Sequence, residues 1–209
     1  MNAHPRAPET EGPRVSVIVP AHNGAATLEA CLGRLLRSPR EIVEVLVVDD
    51  HSADGSAALA GSLGASVIAN PRGRGPGAAR NVGAERARGN ILLFVDADVI
   101  VQESTVKQVL DVFDANPAIA AVFGSYDDEP AAPNFLSQYR NLFHHFTHQT
   151  SRAESCSFWG GCGAIRREAF EAVGGFDEQK YPRASIEDIE LGFRLSRANL
   201  HVRLDPPCR

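Results

Sequence analysis

The sequence predicts an α/β protein: a Rossmann-like, mostly parallel sheet with flanking helices, followed by a mixed α+β C-terminal half. Three observations predict this. Four short, almost continuously apolar runs occupy Val15–Val19, Val43–Val48, Ala65–Ala69 and Ile91–Val95, the pattern of strands buried on both faces. Segments of helical spacing lie between them, so strand and helix alternate at about 20–30 residues per unit, as crossover helices require. Polar residues gather where each apolar run ends, and open parallel sheets bind ligands beyond the carboxyl ends of their strands.

In chain order, residues 1–13 are rich in Pro, Glu and small residues and read as a flexible leader, and residues 14–209 read as one domain. Leu28, Leu32, Leu35 and Leu36 form one helical stripe, Ala57, Leu59, Ala60 and Leu63 a second, and Ala78, Val82 and Ala87 a third. Beyond Asp98 the alternation loosens. Val106, Val109, Leu110 and Phe113 mark a helix, Ile119–Phe123 a strand, Phe135–Phe146 a helix, and the last helix runs from Ser185 to about Ala198.

Hydrophobic residues make up 44% of the 209 residues and charged residues 22%, ordinary for a globular protein. The net charge is −5 and no basic block stands out, so nucleic acid is not an expected partner. No apolar run approaches the ~18–20 residues of a membrane span. Cys31, Cys156, Cys162 and Cys208 show no CxxC spacing, and no signal peptide precedes them. They read as isolated buried thiols in a reducing, cytoplasmic compartment, rather than as a disulfide framework or a zinc site.

The candidate chemistry sits at the strand ends. The runs exit into Pro20-Ala21-His22-Asn23-Gly24, Asp49-Asp50-His51-Ser52, Asn70-Pro71-Arg72-Gly73-Arg74-Gly75 and Asp96-Ala97-Asp98. Any one of these could be a turn and a helix cap; four together argue for a site. Asp54 is the better cap for the helix that begins near Gly55, which leaves Asp49 and Asp50 open to a functional role. Arg80 is either part of a solvated helix face or a group that reaches phosphate. The loop Gly73-Arg74-Gly75-Pro76-Gly77 is not a dinucleotide fingerprint: it follows the third strand, and Pro76 removes an N–H from the phosphate cradle. It reads as clearance for a ligand and a mobile loop.

Period-two alternation would aim Asp96 and Asp98 the same way, and two like charges side by side repel unless something positive lies between them. Converging carboxylates suit a hard divalent cation, Mn²⁺ or Mg²⁺, that shares its shell with phosphate oxygens. The alternative is two solvated turn residues. Trp159, Gly160 and Gly161 form either a packed turn or an aromatic platform for a sugar ring. Ser185 with Asp188 fits a capping box, and Glu190 can pair with Arg194, so spacing alone favours a structural role for this acidic helix start. His144, His145 and His148 read as part of a surface helix near a lipid or acceptor rather than as metal ligands.

Taken together, these segments resemble the family 2 glycosyltransferases with a GT-A fold, from about Val15 to Leu204. The resemblance rests on Pro20-Ala21-His22-Asn23, on Val47 to Ser56, on Gly77-Ala78-Ala79-Arg80-Asn81, on Asp96-Ala97-Asp98, on Gly160 to Ala164, on Gly174 to Glu178 and on Glu187-Asp188. It implies a GT-A-type domain with a nucleotide-binding half at 14–100 and an acceptor-binding half at 101–209. It implies transfer of a sugar from a nucleotide-diphosphate donor, UDP- or GDP-linked, to the hydroxyl of a carbohydrate or lipid-linked acceptor, with inversion. It further implies that Pro20, Ala21, Asn23, Asp49, Asp50, Arg80, Asp96 and Ala97 hold the nucleotide sugar, that Asp98 and Asp96 bind Mn²⁺ or Mg²⁺, and that Asp188, beside Glu187, is the general base. Trp159, Gly160 and Gly161 would face the acceptor.

There are departures from the family pattern. Several members supply a further His downstream of the last helix, whereas this sequence ends at Arg209, and the Gln-x-x-Arg-Trp motif of processive members is absent. A truncated catalytic domain is the expectation, with membrane association through a missing C-terminal region at the cytoplasmic face of a membrane. Two rival readings remain at this point. One is a non-catalytic nucleotide-sugar-binding domain. The other is a haloacid-dehalogenase-like phosphatase, which also carries Asp-x-Asp after an apolar strand but needs it on an early strand, with a downstream acidic pair.

Overall fold

A computed structural model describes residues 15–37, 41–72, 75–130, 133–206 and 208; the predicted leader lies outside them. Each of the four N-terminal apolar runs forms a strand: β1 (Val15–Ala21), β2 (Ile42–Asp49), β3 (Ser66–Ala69) and β4 (Ile91–Val95). The helices between and after them are α1 (Ala25–Leu35), α2 (Ser56–Ser62), α3 (Pro76–Arg86) and α4 (Thr105–Ala115). The C-terminal half adds β5 (Ile119–Phe123), α5 (Phe135–Thr150), β6 (Glu154–Ser155), β7 (Cys162–Arg166), α6 (Arg167–Ala172), α7 (Glu187–Arg197) and β8 (His201–Leu204). All the strands join one sheet in the order β3-β2-β1-β4-β7-β5-β8-β6.

β1 pairs in parallel with β2 on one side and β4 on the other. The strand order therefore turns around at β1, and a crevice opens beyond the carboxyl ends of β1 and β4. Alternate residues explain the continuous apolar runs. Val15, Val17 and Val19 of β1 enter one core with α1 and α4, while Ile18 enters a second core on the opposite face of the sheet. β4 divides in the same way, with Ile91, Leu93 and Val95 on one face and Leu92 and Phe94 on the other.

Three sequence expectations need correction. β3 is not buried on both faces: it is a short strand pairing only with β2, and Val67 is 38% exposed. α5 runs one turn past Phe146, and α7 begins at Glu187 rather than Ser185. The later start of α7 undoes the predicted capping box. Ile186 stands at the cap position with no side-chain hydrogen bond, and Ser185 instead donates its backbone N–H to Glu187 Oε2.

The sequence reading also passed over β6, β7, α6 and β8. β7 runs antiparallel between β4 and β5 and joins the two halves into one sheet. Gly163 masks it, yet Gly163 is what lets it form: a Cβ there would stand 2.3 Å from the Trp159 carbonyl and 2.6 Å from the Phe158 ring. Arg167, directly after β7, donates from its guanidinium to the carbonyls of Ala84, Ala87 and Gly89. It thereby satisfies acceptors at the C-terminal end of α3 that the helix itself leaves unpaired. Arg167→Ala should lower the unfolding free energy by about 2–3 kcal/mol, read as a shift in urea midpoint without a change in slope.

Candidate active site

The strand ends of β1, β2 and β4, the start of α3 and the start of α7 surround a cleft of about 990 Å³. Pro20, Ala21, Asn23, Asp50, Arg80, Asp96, Ala97, Asp98, Glu187 and Asp188 all line it. The structure therefore brings most of the sequence-predicted site together. Asp49, Trp159, Gly160 and Gly161 are not part of that lining. Asp49 ends β2, and its Oδ1 is buried without a partner among the described residues.

At the β1–β2 edge, backbone geometry is set by side chains. Asn23 adopts φ 51° and accepts the Ala53 N–H on its side-chain oxygen. The His22 ring is 2.6 Å from the Asp50 carbonyl. Asp54 does not cap α2 in the predicted way, since Gly55 holds the cap position. One of its oxygens accepts the Ser56 N–H and the other the Ala25 N–H, so a single carboxylate serves the starts of both α2 and α1. Asp50 is 5% exposed, and both of its oxygens are used, one by the Asn70 side chain and one by the Gly75 N–H at 2.8 Å. Gly75 has φ 132°, and a Cβ there would fall 2.7 Å from the Pro182 carbonyl. Only glycine permits this approach, which brings the segment leading into α7 over the nucleotide-type half.

Arg80 links the two halves. It is 3% exposed, donates to Asp96 Oδ1 at 2.6 Å and to Glu187 Oε1 at 3.0 Å, and lies 5.4 Å from the centre of the Phe176 ring. Gly160 packs on the guanidinium, where a Cβ would come within 2.9 Å of Cζ. Burial opposes the Arg80 charge, but Asp96, Glu187 and Asp188 outweigh it and raise the pKa further. Burial also raises the Asp96 pKa, with Arg80 opposing and Asp98 and Asp188 adding. The positive group that the Asp96–Asp98 pair required is thus supplied for Asp96 by the protein itself.

Asp188, in the first turn of α7, also lines the cleft. Its Oδ2 accepts the Gly160 N–H at 3.0 Å and its Oδ1 the Ile189 N–H at 2.8 Å. The Asp96 N–H donates to the Gly161 carbonyl, so the Trp159–Gly161 turn contacts both Asp96 and Asp188 through its backbone. Trp159 packs edge-on against His144 and His148 of α5, at 4.7 and 4.9 Å between ring centres. His148 is 5% exposed and is held neutral, its pKa lowered to about 4 by burial and by neighbouring histidines. It is a packing residue rather than part of a surface.

Among the described residues no three His, Cys, Asp or Glu side chains converge on one point. Asp98 makes no ion pair among them, and Asp96 keeps Oδ2 clear of Arg80. Two carboxylate donors at the cleft suit a hard cation that completes its shell from a ligand's oxygens, not one caged by protein alone. Sequence reasoning missed Arg183, an exposed cation in the cleft lining beside Pro182. Its place just ahead of the Glu-Asp helix start was the available signal. Of the thiols, Cys156 is exposed rather than buried.

Removing the guanidinium should strand two carboxylates. Arg80→Ala should cost about 3–5 kcal/mol, as expected when one partner of a buried pair is lost. Protonation of the stranded carboxylates relieves that cost, so the deficit should be smallest at acid pH and grow as pH rises through the carboxylate range. Chemical denaturation at several pH values checks both; a pH-independent loss would contradict the pairing.

Residues 16–174 match the family described as "Glycosyl transferase family 2". The chain is 30% identical over 216 residues to the pre-mycofactocin glycosyltransferase of Mycobacterium tuberculosis strain H37Rv, covering 98% of this chain and 44% of that protein. It is 27% identical over 212 residues to the probable glycosyltransferase YdaM of Bacillus subtilis, covering 94% of this chain and 50% of that protein. The chain thus spans about half the length of these curated relatives. Among solved structures, the mannosyltransferase PcManGT of Pyrobaculum calidifontis, in complex with GDP-Man and Mn²⁺, superposes with a TM-score of 0.75 at 25% identity, over 95% of this chain and 56% of that one. S. aureus TarS 1-349 with UDP-GlcNAc shares the fold at a TM-score of 0.69 and 21% identity, over 92% of this chain and 56% of that one. A match across three-quarters of the chain, with the acidic strand ends and the Glu-Asp helix start gathered at one cleft, gives the assignment: the chain belongs to glycosyl transferase family 2.

Proposed function

We propose that this chain transfers a sugar from a nucleotide-diphosphate sugar to an acceptor hydroxyl with inversion, assisted by Mn²⁺ or Mg²⁺. The observation that carries the reading is that Asp98 and Asp188, from opposite halves of the chain, line one cleft. The GDP-Man and UDP-GlcNAc bound to structural neighbours support a GDP- or UDP-linked donor. The acceptor is a carbohydrate or a lipid-linked molecule. Family membership removes the phosphatase alternative.

In this mechanism the loops after β1 and β2 receive the base and ribose. Asp98 and the Asp96 oxygen that Arg80 does not engage would hold the cation, which would supply positive charge to offset that developing on the departing diphosphate. Arg183 at the cleft lining is placed to add positive charge there. Asp188 takes the proton from the acceptor hydroxyl as that oxygen bonds to the anomeric carbon. The bond from that carbon to the phosphate oxygen breaks, and the nucleoside diphosphate leaves with the electron pair. Attack from the face opposite the leaving group inverts the centre. Two N–H donors fix the Asp188 carboxylate, and the Arg80–Glu187 pair beside it holds the helix start. We assign Glu187 a positioning role and Arg80 a structural one toward the donor site, rather than direct contact with reactants.

Incubation with a panel of nucleotide sugars plus Mn²⁺ should release nucleoside diphosphate from at least one donor. Tight nucleotide binding with no release from any donor would instead indicate a binding domain without turnover. Asp98→Asn should weaken metal-dependent nucleotide binding by about tenfold or more. Asp188→Asn should leave binding within about twofold while lowering transfer by roughly 10²–10⁴-fold. Calorimetry separates the two, and equal loss of binding in both variants would refute this division of roles.

A further inference from the structure

Arg80 holds two carboxylates with one nitrogen each, Nη2 on Asp96 Oδ1 and Nη1 on Glu187 Oε1. A guanidinium beside a carboxylate ordinarily closes on it with two parallel hydrogen bonds. Here it does not, although the arrangement leaves a group unpaired: Arg80 Nε is buried and has no hydrogen-bond partner among the described residues. The Nε and Nη2 donors share one edge of the rigid guanidinium fork. A small turn toward Asp96 would therefore pair Nε–H, and it would occupy Asp96 Oδ2. Something holds the guanidinium back from that turn.

Two groups pack against it. The Gly160 backbone comes so close that a Cβ would stand 2.9 Å from Cζ, 3.1 Å from Nη2 and 3.2 Å from Nε. The Phe176 ring centre lies 5.4 Å from Cζ, within reach of a cation–π contact. Phe176 is itself fixed in two ways. Its ring packs edge-on against Phe94 of β4 at 5.3 Å and against Phe170 at 5.6 Å. Its backbone is gripped by Asn81, the residue after Arg80 on α3. The Phe176 N–H donates to Asn81 Oδ1, and Asn81 Nδ2 donates to the Phe176 carbonyl, both at 2.9 Å. One side-chain amide thus pairs with Phe176 as a neighbouring strand would. Gly175, at φ 68°, admits the amide, since a Cβ there would stand 2.7 Å from Asn81 Oδ1. Asn81 does not line the active cleft; it lines a second cavity of about 540 Å³.

We propose that Asn81 is a positioning residue for the cation site: its grip on Phe176 keeps the Arg80 guanidinium on one oxygen of Asp96 and so reserves Asp96 Oδ2 for the cation. The inference rests on the glycosyltransferase reading in one respect, the assignment of a cation to Asp96 and Asp98. With the ring displaced, the guanidinium can fork onto Asp96, and a hard cation is left with Asp98 alone. The Asp96 side chain is 37% exposed, against 4% for Arg80 and 5% for Glu187, so Asp96 is the member of this cluster that a ligand reaches.

The test is Mn²⁺ binding to the intact chain in the presence of GDP or UDP, read from the free-Mn²⁺ signal in electron paramagnetic resonance, with no sugar donor and no turnover. Asn81→Ala should raise the Mn²⁺ Kd about tenfold, as loss of an outer-sphere partner does, and leave metal-free nucleotide binding within about twofold. Phe176→Leu, which keeps the core apolar but removes the ring face, should act in the same direction. In an Asp96→Asn background Asn81→Ala should add less than about twofold, because the reserved oxygen is already gone. Each variant is measured well below its unfolding midpoint. A role confined to stability would lower that midpoint and leave the Mn²⁺ Kd unchanged, which overturns the proposal. So does a loss that persists in full in the Asp96→Asn background. No Mn²⁺ uptake by the parent with either nucleotide overturns the cation assignment and this inference with it. Uptake by the parent that both Asn81→Ala and Phe176→Leu leave intact overturns this inference alone.

Discussion

A single buried guanidinium ties the two halves of this fold together. Arg80 enters from α3, meets Asp96 at the tip of β4 and Glu187 at the start of α7, and is covered by Gly160 from the turn before β7. Buried charges are tolerable only when partnered, and here each depends on the others. Glu187 completes its own accounting by accepting the Ser185 N–H, which helps seat a helix start that lacks a side-chain cap. Loss of the guanidinium therefore does more than remove one contact. It leaves carboxylates facing one another where the cleft needs them held apart.

The same economy of polar groups shapes the rest of the cleft. Asp50 braces the loop after β3 through Asn70 and Gly75, and Gly75 in turn admits Pro182 of the opposite half. Asp54 serves two helix starts at once. The oxygens of both carboxylates are engaged by the protein's own donors. Asp98, without an ion pair among the described residues, and Asp188, held by two backbone donors, line the same cleft.

That distinction marks the boundary of what sequence conveys. The parallel strands were legible because burial on both faces writes an uninterrupted apolar run, as in Ile91–Val95. β7 was not legible, because close approach of Trp159 and Phe158 forces a glycine into its middle and breaks the pattern. The site's membership was largely legible, since polar strand ends share one edge of a parallel sheet. The duties of its members were not. Arg80 could be read as a phosphate contact because nothing in Ala79-Arg80-Asn81 reveals that Asp96 and Glu187 already claim it. Arg183 went unnoticed because its place in the cleft lining comes from the loop's position, which the close approach of Gly75 and Pro182 sets in three dimensions.

The polarity of α5 follows from the same logic applied outside the cleft. A helix flanking a sheet ordinarily turns its apolar stripe inward, yet here the inward groups are histidines gathered around Trp159. His148, neutral and packed between Trp159, Tyr126 and Phe123, does the work of an aromatic residue. With the inner contacts supplied by imidazole rings, the outward stripe owes nothing to the core. Its six large apolar residues are therefore not core residues that lost their partner. These residues, Phe135, Leu136, Tyr139, Leu142, Phe143 and Phe146, form a second surface, on the face of the helix turned away from Trp159, whose neighbour Gly160 donates to Asp188.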